Sequence, residues 1–436
     1  GCRRGLMSQR SLGQWLAVLE ALHPSEIDMG LERVREVAER LNVLRPAPRV
    51  FTVTGTNGKG STCAALDSLL RTAGLRTGCY TSPHLHRYNE RIRINGAQAD
   101  DQSICDAFAA IDAARGDISL TYFEFGTLAA FWLFQRERLD AVVLEVGLGG
   151  RLDAVNVVDA DVAVVTSIGL DHQEYLGSTR ESVAFEKAGI MRAGHPVVSG
   201  ERDLPSPFTD AVERLGCRLY QRDQDFSVQS FADGSWVLDG IDGTGNRRQL
   251  RLPAVSLPRD NLAVALQAFW AAGFDLADTL ICAALRSATA TGRLEARQVL
   301  WQGAVRDLRL DVGHNPHAAR FLASSLGADA ARPRVAVFGL LSDKDLNGVA
   351  AELQGMFEHW FTAPLPSPRS RSAEDLVQGL TAAGEPASAH ASIARAIEKA
   401  LEQTDSATEV VIFGSFFCVA DAILWLSEHA GVAQNG

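Results

Sequence analysis

The sequence predicts an α/β protein of two domains. The first is a doubly wound N-terminal domain built on a phosphate-binding loop (P-loop), with a small β-rich insertion. The second is a smaller, Rossmann-like α/β C-terminal domain. Three observations carry this expectation. The chain has 436 residues, more than one ordinary core accommodates. Short apolar runs that read as buried parallel strands alternate with helical periodicities. One of those strands runs straight into the glycine-rich string TGTNGKGST at 54–62, and a helix follows it.

Helical spacing opens the chain: Leu12, Trp15, Leu16 and Leu19, then Leu31, Val34, Ala38 and Leu41, recur at three- and four-residue steps. A strand over Val50–Val53 precedes the glycine loop, and a helix over 62–73 follows it. The runs Ala141–Val146 (AVVLEV), Asp161–Thr166 (DVAVVT) and Pro196–Ser199 read as further buried strands. Helices are expected over Phe123–Arg138 and Glu181–Met191. From 217 to 252, glycine, Asp and short alternating stretches predict a β-hairpin insertion. Helix returns over Asn261–Ala272 and Leu276–Ala288. After TGRLE at 291–295 a second α/β pattern has strands at Leu308–Val312, Arg334–Phe338 and Val410–Phe413. The Pro- and Ser-rich segment 361–375 reads as a loop inside that domain. The boundary is placed near 290–297, giving domains of 1–292 and 293–436.

Composition excludes several classes. Hydrophobic residues make up 46% and charged residues 22%, the balance of a soluble globular protein. The net charge of -11 repels nucleic acid and anionic membrane, so an anionic ligand must be held by a local site. No apolar run approaches the ~20 residues of a membrane span. The start of the chain lacks a signal-peptide core, and Gly1 to Leu6 read as an extension before Met7. Seven cysteines (Cys2, Cys63, Cys79, Cys105, Cys217, Cys282, Cys418) are scattered without CxxC spacing. That disfavours a disulfide framework or a zinc site and suits a reducing cytoplasm. The expectation is a cytoplasmic monomer with small-molecule partners and neither nucleic acid nor membrane.

Four strings carry chemistry. In TGTNGKGST, glycines 55, 58 and 60 let backbone N–H groups turn toward a phosphate, Lys59 adds a point charge, and Ser61 or Thr62 reaches a metal or phosphate oxygen. The ordinary Walker A spacing needs a glycine where Val53 stands, so the generic motif fails. In LEVGLGGRLDAVN at 144–156, Glu145 ends a strand of Val and Leu, as a salt-bridged structural residue or as a metal ligand. The glycine run 147–150 reads as mobile, closely approaching backbone, followed by Arg151 and Asp153. In TSIGLDHQEYLG at 166–177, His172 lies past a strand end as a packed or surface histidine or as a ligand. Nearby, Lys187 of FEKAGIM is either a lysine snorkelling to solvent or a desolvated amine open to carbamylation. In DVGHNPHAA at 311–319, Asp311 and His314 end a strand, while Asn315 can cap the next helix.

Together with TSPHLHRYNERIRING at 81–96 and TGRLE, these ordered strings resemble the folylpolyglutamate synthase family, within the Mur ligase superfamily. The resemblance spans Ser11 to about Leu426, and the family's loop shares the departure from Walker A. It implies ATP-dependent amide ligation: ATP phosphorylates a carboxylate, and the amine of L-glutamate displaces the phosphate. By the same resemblance, Thr56, Asn57, Gly58, Lys59, Gly60 and Ser61 cradle the triphosphate. Asn261, Arg293 and Asp311 also belong to the nucleotide site. Two magnesium ions are implied, one on Ser82 and Glu145, the other on His172 and a carbamylated Lys187. Lys59, His172, Lys187 and His314 carry the catalytic roles. Asp311 and His314, from the second domain, close over nucleotide and glutamate.

A dihydropteroate pocket is implied on three pieces: Asp28, Met29 and Gly30 of DMGLERV; Thr121, Tyr122, Phe123 and Glu124 of TYFEF; and Leu152, Asp153 and Ala154. Phe123 can stack on a flat pterin and Asp153 can pair with its amino groups, with core packing of Phe123 and Phe125 as the plainer reading. The resemblance thus implies a bifunctional ligase that acts on dihydropteroate and on tetrahydrofolate glutamyl chains. The alternative is a monofunctional folylpolyglutamate synthase. A P-loop GTPase or motor would show an ordinary Walker A and NKxD, and neither is present. A catalytically dead nucleotide-binding module would not need Lys59, Glu145, His172 and Lys187 together. A cell-wall Mur ligase would take nucleotide-sugar peptides. Where the family is expected to have alanine in DVGHNPHAA, this chain has Gly313.

Overall fold

The computed structural model describes residues 10–22, 27–290, 292–327 and 332–429. The extension before Met7, Cys2 and Thr291 of TGRLE lie outside the described residues. The chain divides into two compact units, one through Thr289 and the other from Ala290.

The first unit is built on eight strands: β1 (Arg49–Thr54), β2 (Thr77–Tyr80), β3 (Ile92–Ile94), β4 (Ala97–Gln98), β5 (Ala141–Glu145), β6 (Val162–Val165), β7 (Val197–Ser199) and β8 (Leu219–Gln221). They lie in the order β4-β3-β2-β5-β1-β6-β7-β8. The six from β2 to β8 are parallel, and β3 and β4 add an antiparallel edge. Every residue of β5 and β6 is buried, because helices cover both faces and leave no solvent side to alternate toward. The chain moves outward from β1 to β2 on one side and returns through β5 to β6 on the other. The carboxyl ends of β1, β5 and β6 therefore frame the crevice where ligands bind in such sheets.

Helices Leu12–Ala21 and Glu32–Leu41 realise the opening periodicity. Trp15, Leu19, Val34 and Ala38 join the core that also holds Phe108, Phe125, Phe131 and Phe134. The insertion is smaller than 217–252. Residues Leu219–Gln221 extend the main sheet as β8, and only β9 (Ser227–Ser230), β10 (Trp236–Ile241) and β11 (Arg247–Leu252) form a separate antiparallel sheet.

The second unit has six strands: β12 (Glu295–Trp301), β13 (Ala304–Asp311), β14 (Arg334–Phe338), β15 (Trp360–Thr362), β16 (Ala387–Ala389) and β17 (Glu409–Phe413). Their order is β12-β13-β17-β14-β15-β16. All neighbours are parallel except β12 and β13. These two form a hairpin turned by Gln302 (φ 49°) and Gly303 (φ 84°), the paired positive φ that matches strand twist. The strand expected over Leu308–Val312 thus starts earlier and has an edge partner that the sequence reading did not include. The 361–375 loop is also shorter than expected. Phe361 and Thr362 belong to β15, and Ser372 caps the helix Ala373–Ala382 by accepting from Asp375 N–H. Among the described residues no helix is long and apolar enough to cross a membrane.

Candidate active site

The helix after the glycine loop begins at Lys59, three residues before the expected start. Gly58 precedes it in the left-handed region (φ 84°), and no side chain caps the helix. The first N–H groups of this 14-residue helix are therefore directed at whatever anion lies beyond it. Thr62 is committed: its hydroxyl donates to Gly58 O at 2.7 Å. Ser61 is buried, and its hydroxyl has no hydrogen-bond partner. Of the two hydroxyls the sequence left open, Ser61 is the one free to meet a phosphate or its metal. An orphaned buried hydroxyl at a helix N-terminus fits a triphosphate.

The segment after β6 braces this loop. Asn57 N–H donates to Ser167 Oγ at 3.0 Å, and Thr56 N–H donates to Ser167 O at 3.0 Å. Thr56 Oγ1 donates to Gly169 O at 3.0 Å and accepts from Gly169 N–H at 2.8 Å. Asn261, in the first turn of helix Arg259–Ala271, lies directly against Gly58.

Glu145 ends β5 and is 4% exposed. One of its oxygens, Oε2, accepts Ser82 N–H at 3.1 Å, so the two residues expected to share a metal are neighbours. Lys187 is 3% exposed in the last turn of helix Arg180–Ala188, which overturns a lysine snorkelling to solvent. Burial, aided by nearby Lys59 and opposed by Asp171, pushes its pKa down to about 7. His172 sits in the left-handed region (φ 48°) on the exposed segment between β6 and that helix. Its Nε2 lies 3.9 Å from Asp171 Oδ2. Among the described residues no three His, Cys, Asp or Glu side chains converge as a metal cage. Magnesium needs no such cage, since it usually keeps waters and substrate phosphates with one or two carboxylates.

The glycine run 147–150 is pinned, which corrects the expectation of mobile backbone. Asp153 Oδ1 accepts Gly147 N–H at 3.0 Å and Leu148 N–H at 2.9 Å, and Oδ2 accepts Val155 N–H at 3.1 Å. Arg151 N–H donates to Glu186 O at 2.8 Å. A Cβ on Gly150 would meet Glu186 O at 2.9 Å, so only glycine lets this loop approach the Lys187 helix so closely. Burial lifts the Asp153 carboxyl to about 6 against these N–H donors. Leu152 is half-buried and Ala154 buried beside it.

Phe123 is half-buried with its ring against Gly147 and 6.0 Å from the Tyr80 ring, while Phe125 is fully buried core. Thr121 and Glu124 form a capping box for helix Tyr122–Glu137. Arg33 grips Glu124 with both terminal nitrogens, at 2.7 and 2.8 Å, and also reaches Asp28 at 3.3 Å. This fork ties the Asp28–Gly30 segment to the TYFEF helix. Sequence reasoning missed Arg33, because an arginine in an amphipathic helix looks like any solvated one.

In the second unit, Asp311 is 7% exposed at the end of β13. It accepts Gly313 N–H at 2.7 Å and Leu294 N–H at 3.1 Å. Burial raises its carboxyl, opposed by the Arg293 cation. His314 is half-buried with Nδ1 3.2 Å from Val312 O. Asn315 Oδ1 accepts Ala318 N–H at 2.9 Å, so Asn315 caps the helix that follows. A Cβ at residue 313 would lie 2.8 Å from Asp311 Oδ1 and 2.9 Å from Ala318 Cβ, which accounts for glycine there.

Residues 53–200 match the Mur ligase middle domain and residues 292–416 the Mur ligase glutamate ligase domain. The chain is 46% identical over 414 residues to the dihydrofolate synthase/folylpolyglutamate synthase of Escherichia coli strain K12, covering 94% of each. The chain belongs to the dihydrofolate synthase/folylpolyglutamate synthase family of Mur ligases. Solved members of this family share its fold. E. coli FolC in complex with DHPP and ADP superposes with a TM-score of 0.89 at 43% identity, over 97% of this chain and 99% of that one. A bifunctional folylpolyglutamate synthase/dihydrofolate synthase with Mn, AMPPNP and L-glutamate bound gives 0.87 at 44% identity, over 96% and 99%.

Proposed function

We propose that this chain is an ATP-dependent amide ligase that joins L-glutamate to dihydropteroate and extends the glutamyl chain of tetrahydrofolates. The observation that carries the reading is the likeness, over 97% of the chain, to a relative solved with DHPP and ADP. The open Ser61 hydroxyl at the loop supports it. The helix N-terminus at Lys59, with Thr56, Asn57, Gly58, Gly60, Ser61 and Asn261, binds the triphosphate. Arg293 and Asp311 of the second unit serve the nucleotide, and His314 serves the ligation.

The acceptor carboxylate that attacks the ATP γ-phosphate brings like charges together, so the barrier to that step is chiefly electrostatic. Ser82 and Glu145 would hold one magnesium ion, and His172 with a carbamate on Lys187 a second. Bound there, magnesium would supply Lewis-acid stabilisation of the charge on the transferring phosphoryl group. Lys59 places a fixed cation beside the same oxygens. The buried amine of Lys187, with its pKa near 7, is neutral often enough to take up carbon dioxide. The carbamate then replaces a cation that would repel the metal.

For the acceptor, Phe123 over Gly147 offers a stacking face, with Asp28, Met29, Gly30, Thr121, Tyr122, Glu124, Leu152, Asp153 and Ala154 around it. Thr121, Glu124 and Asp153 do this chiefly by holding the backbone in place. We further place the protein in the cytoplasm as a monomer; the six described cysteines are free thiols.

The test is phosphate release by the purified chain with magnesium ATP and L-glutamate, comparing dihydropteroate with tetrahydrofolate. Release with both acceptors is expected. Release with tetrahydrofolate alone would establish the monofunctional alternative, and release with neither would overturn the ligase reading.

A further inference from the structure

Arg91 is 9% exposed and closes the short 3₁₀ turn Tyr88–Arg91. Its guanidinium lies over two aromatic faces, 5.1 Å from the Tyr88 ring centre and 5.5 Å from that of Tyr122. Its Nε donates to His84 Nδ1 at 2.8 Å. Among the described residues it forms no ion pair, and neither terminal nitrogen makes a hydrogen bond. The adjacent carboxylate, Glu90, is taken up by the N–H groups of Leu85, His86 and Arg87. A cation this buried without a carboxylate is costly, and two tyrosine faces offset only part of the cost.

An orphaned hydroxyl lies next to it. The Tyr88 hydroxyl is buried without a partner, and it converges with the Tyr80 hydroxyl on Gly126. Tyr80 in turn faces the Phe123 ring. The unpaired phenol is thus separated from the stacking face assigned to the acceptor by the Tyr80 ring, and Arg91 lies over the ring of Tyr122, the residue before Phe123 on the same helix.

We propose that Arg91 is a specificity residue for the acceptor: its terminal nitrogens take the oxo group and the neighbouring unprotonated ring nitrogen of a dihydropteridine. The inference rests on the ligase reading above and adds a residue to it. The chemistry is that of arginine on guanine, whose O6 and N7 form the same two-acceptor edge for a guanidinium fork. In a 7,8-dihydropteridine the ring nitrogen beside the oxo group is an imine acceptor. In a tetrahydropteridine it carries a hydrogen and faces the arginine as a second donor. Arg91 therefore favours dihydropteroate over tetrahydrofolate.

The experiment measures direct binding of dihydropteroate, of tetrahydrofolate and of ADP to the full chain and to Arg91→Met. Dihydropteroate should weaken about 10- to 100-fold, tetrahydrofolate several-fold at most, and ADP not at all. The melting temperature should change little, because the lost His84 hydrogen bond and ring contacts are offset by removing a charge that has no carboxylate partner. Arg91→Lys, which keeps the charge but loses the fork, should lose dihydropteroate affinity as well.

A further arm needs no variant. The 4-amino analogue of dihydropteroate places a donor where the oxygen was and should bind wild type about 10-fold more weakly. Unchanged dihydropteroate affinity in both variants, or an analogue that binds as well as the parent, overturns the proposal. So does an equal loss of both acceptors with a lowered melting temperature, which marks a structural role. A wild-type chain that binds no pteridine is a different failure and overturns the ligase reading itself, with this inference.

Discussion

The carboxamide of Asn261 occupies the space a side chain at position 58 would need: a Cβ on Gly58 would lie 2.7 Å from Asn261 Nδ2. Two segments 203 positions apart thus meet at the phosphate loop, and the contact depends on a glycine that is also in the left-handed region.

Gly58→Ala should therefore lose on both counts. The backbone conformation costs roughly 1–2 kcal/mol, and displacing Asn261 disturbs the triphosphate cradle. ADP affinity should fall at least about 10-fold, an extra ~1.4 kcal/mol. Calorimetric titration with ADP measures it, and unchanged affinity would separate Asn261 from the nucleotide site.

Glu145→Gln preserves shape and an oxygen for Ser82 N–H while removing the charge that would hold a metal ion. Turnover should fall at least about 100-fold, the scale for losing one charge-stabilising group, with the melting temperature nearly unchanged. Steady-state rates over a magnesium or manganese titration check this. Activity within a few-fold of wild type would exclude Glu145 from the metal site.

Lys187 gives a pH dependence whose sign follows from its depressed pKa. The unfolded lysine holds its proton up to about 10.5, the folded one only to about 7. Between these values the unfolded state binds more protons, so the wild-type chain gains stability as pH rises, and that gain is lost as pH falls from about 10.5 to about 7. Lys187→Met should thus be more stable than wild type at pH 7, with the advantage shrinking toward pH 10. Denaturant unfolding in bicarbonate-free buffer measures the difference, and an advantage that stays constant with pH would show that Lys187 is not desolvated. Added bicarbonate should narrow the gap at pH 7 if the carbamate forms.

Arg33→Met should release helix Tyr122–Glu137 from the Asp28–Gly30 segment. The Glu124 carboxylate, 4% exposed, would keep its Thr121 N–H but lose its cation, at a cost of about 1–3 kcal/mol. Dihydropteroate affinity should fall while ADP affinity holds. Equal loss of both ligands in titrations would point to general unfolding instead.

Local signals were enough for much of this molecule. A strand, a glycine string and a helix in that order announce a phosphate loop, since few other residues let consecutive N–H groups face one anion. Glu145 and His172 were visible as polar residues at the ends of apolar runs. The runs themselves marked β5 and β6, because a strand covered on both faces has no polar alternation. The hairpin partner β12 was not visible: an edge strand with one solvated face spells EARQVLW, a string equally at home in a helix or a loop. β8 was hidden for the related reason that three residues beside a hairpin insertion carry no period of their own.

By itself the sequence determined the order of elements, the family and the residue types at the site. The resemblance lay in strings of neighbouring residues, and neighbours in sequence keep their relation however the chain folds. Tertiary structure alone decided which groups are free. It committed Thr62 to its helix and left Ser61 open. It turned Asp153 and Glu124 into clamps on backbone and on Arg33, and it buried Lys187 deeply enough to depress its pKa. It also left Arg91 without a carboxylate while spending Glu90 on three N–H groups nearby. Each outcome depends on desolvation and on hydrogen-bond partners from remote segments, quantities that exist only once the chain has folded.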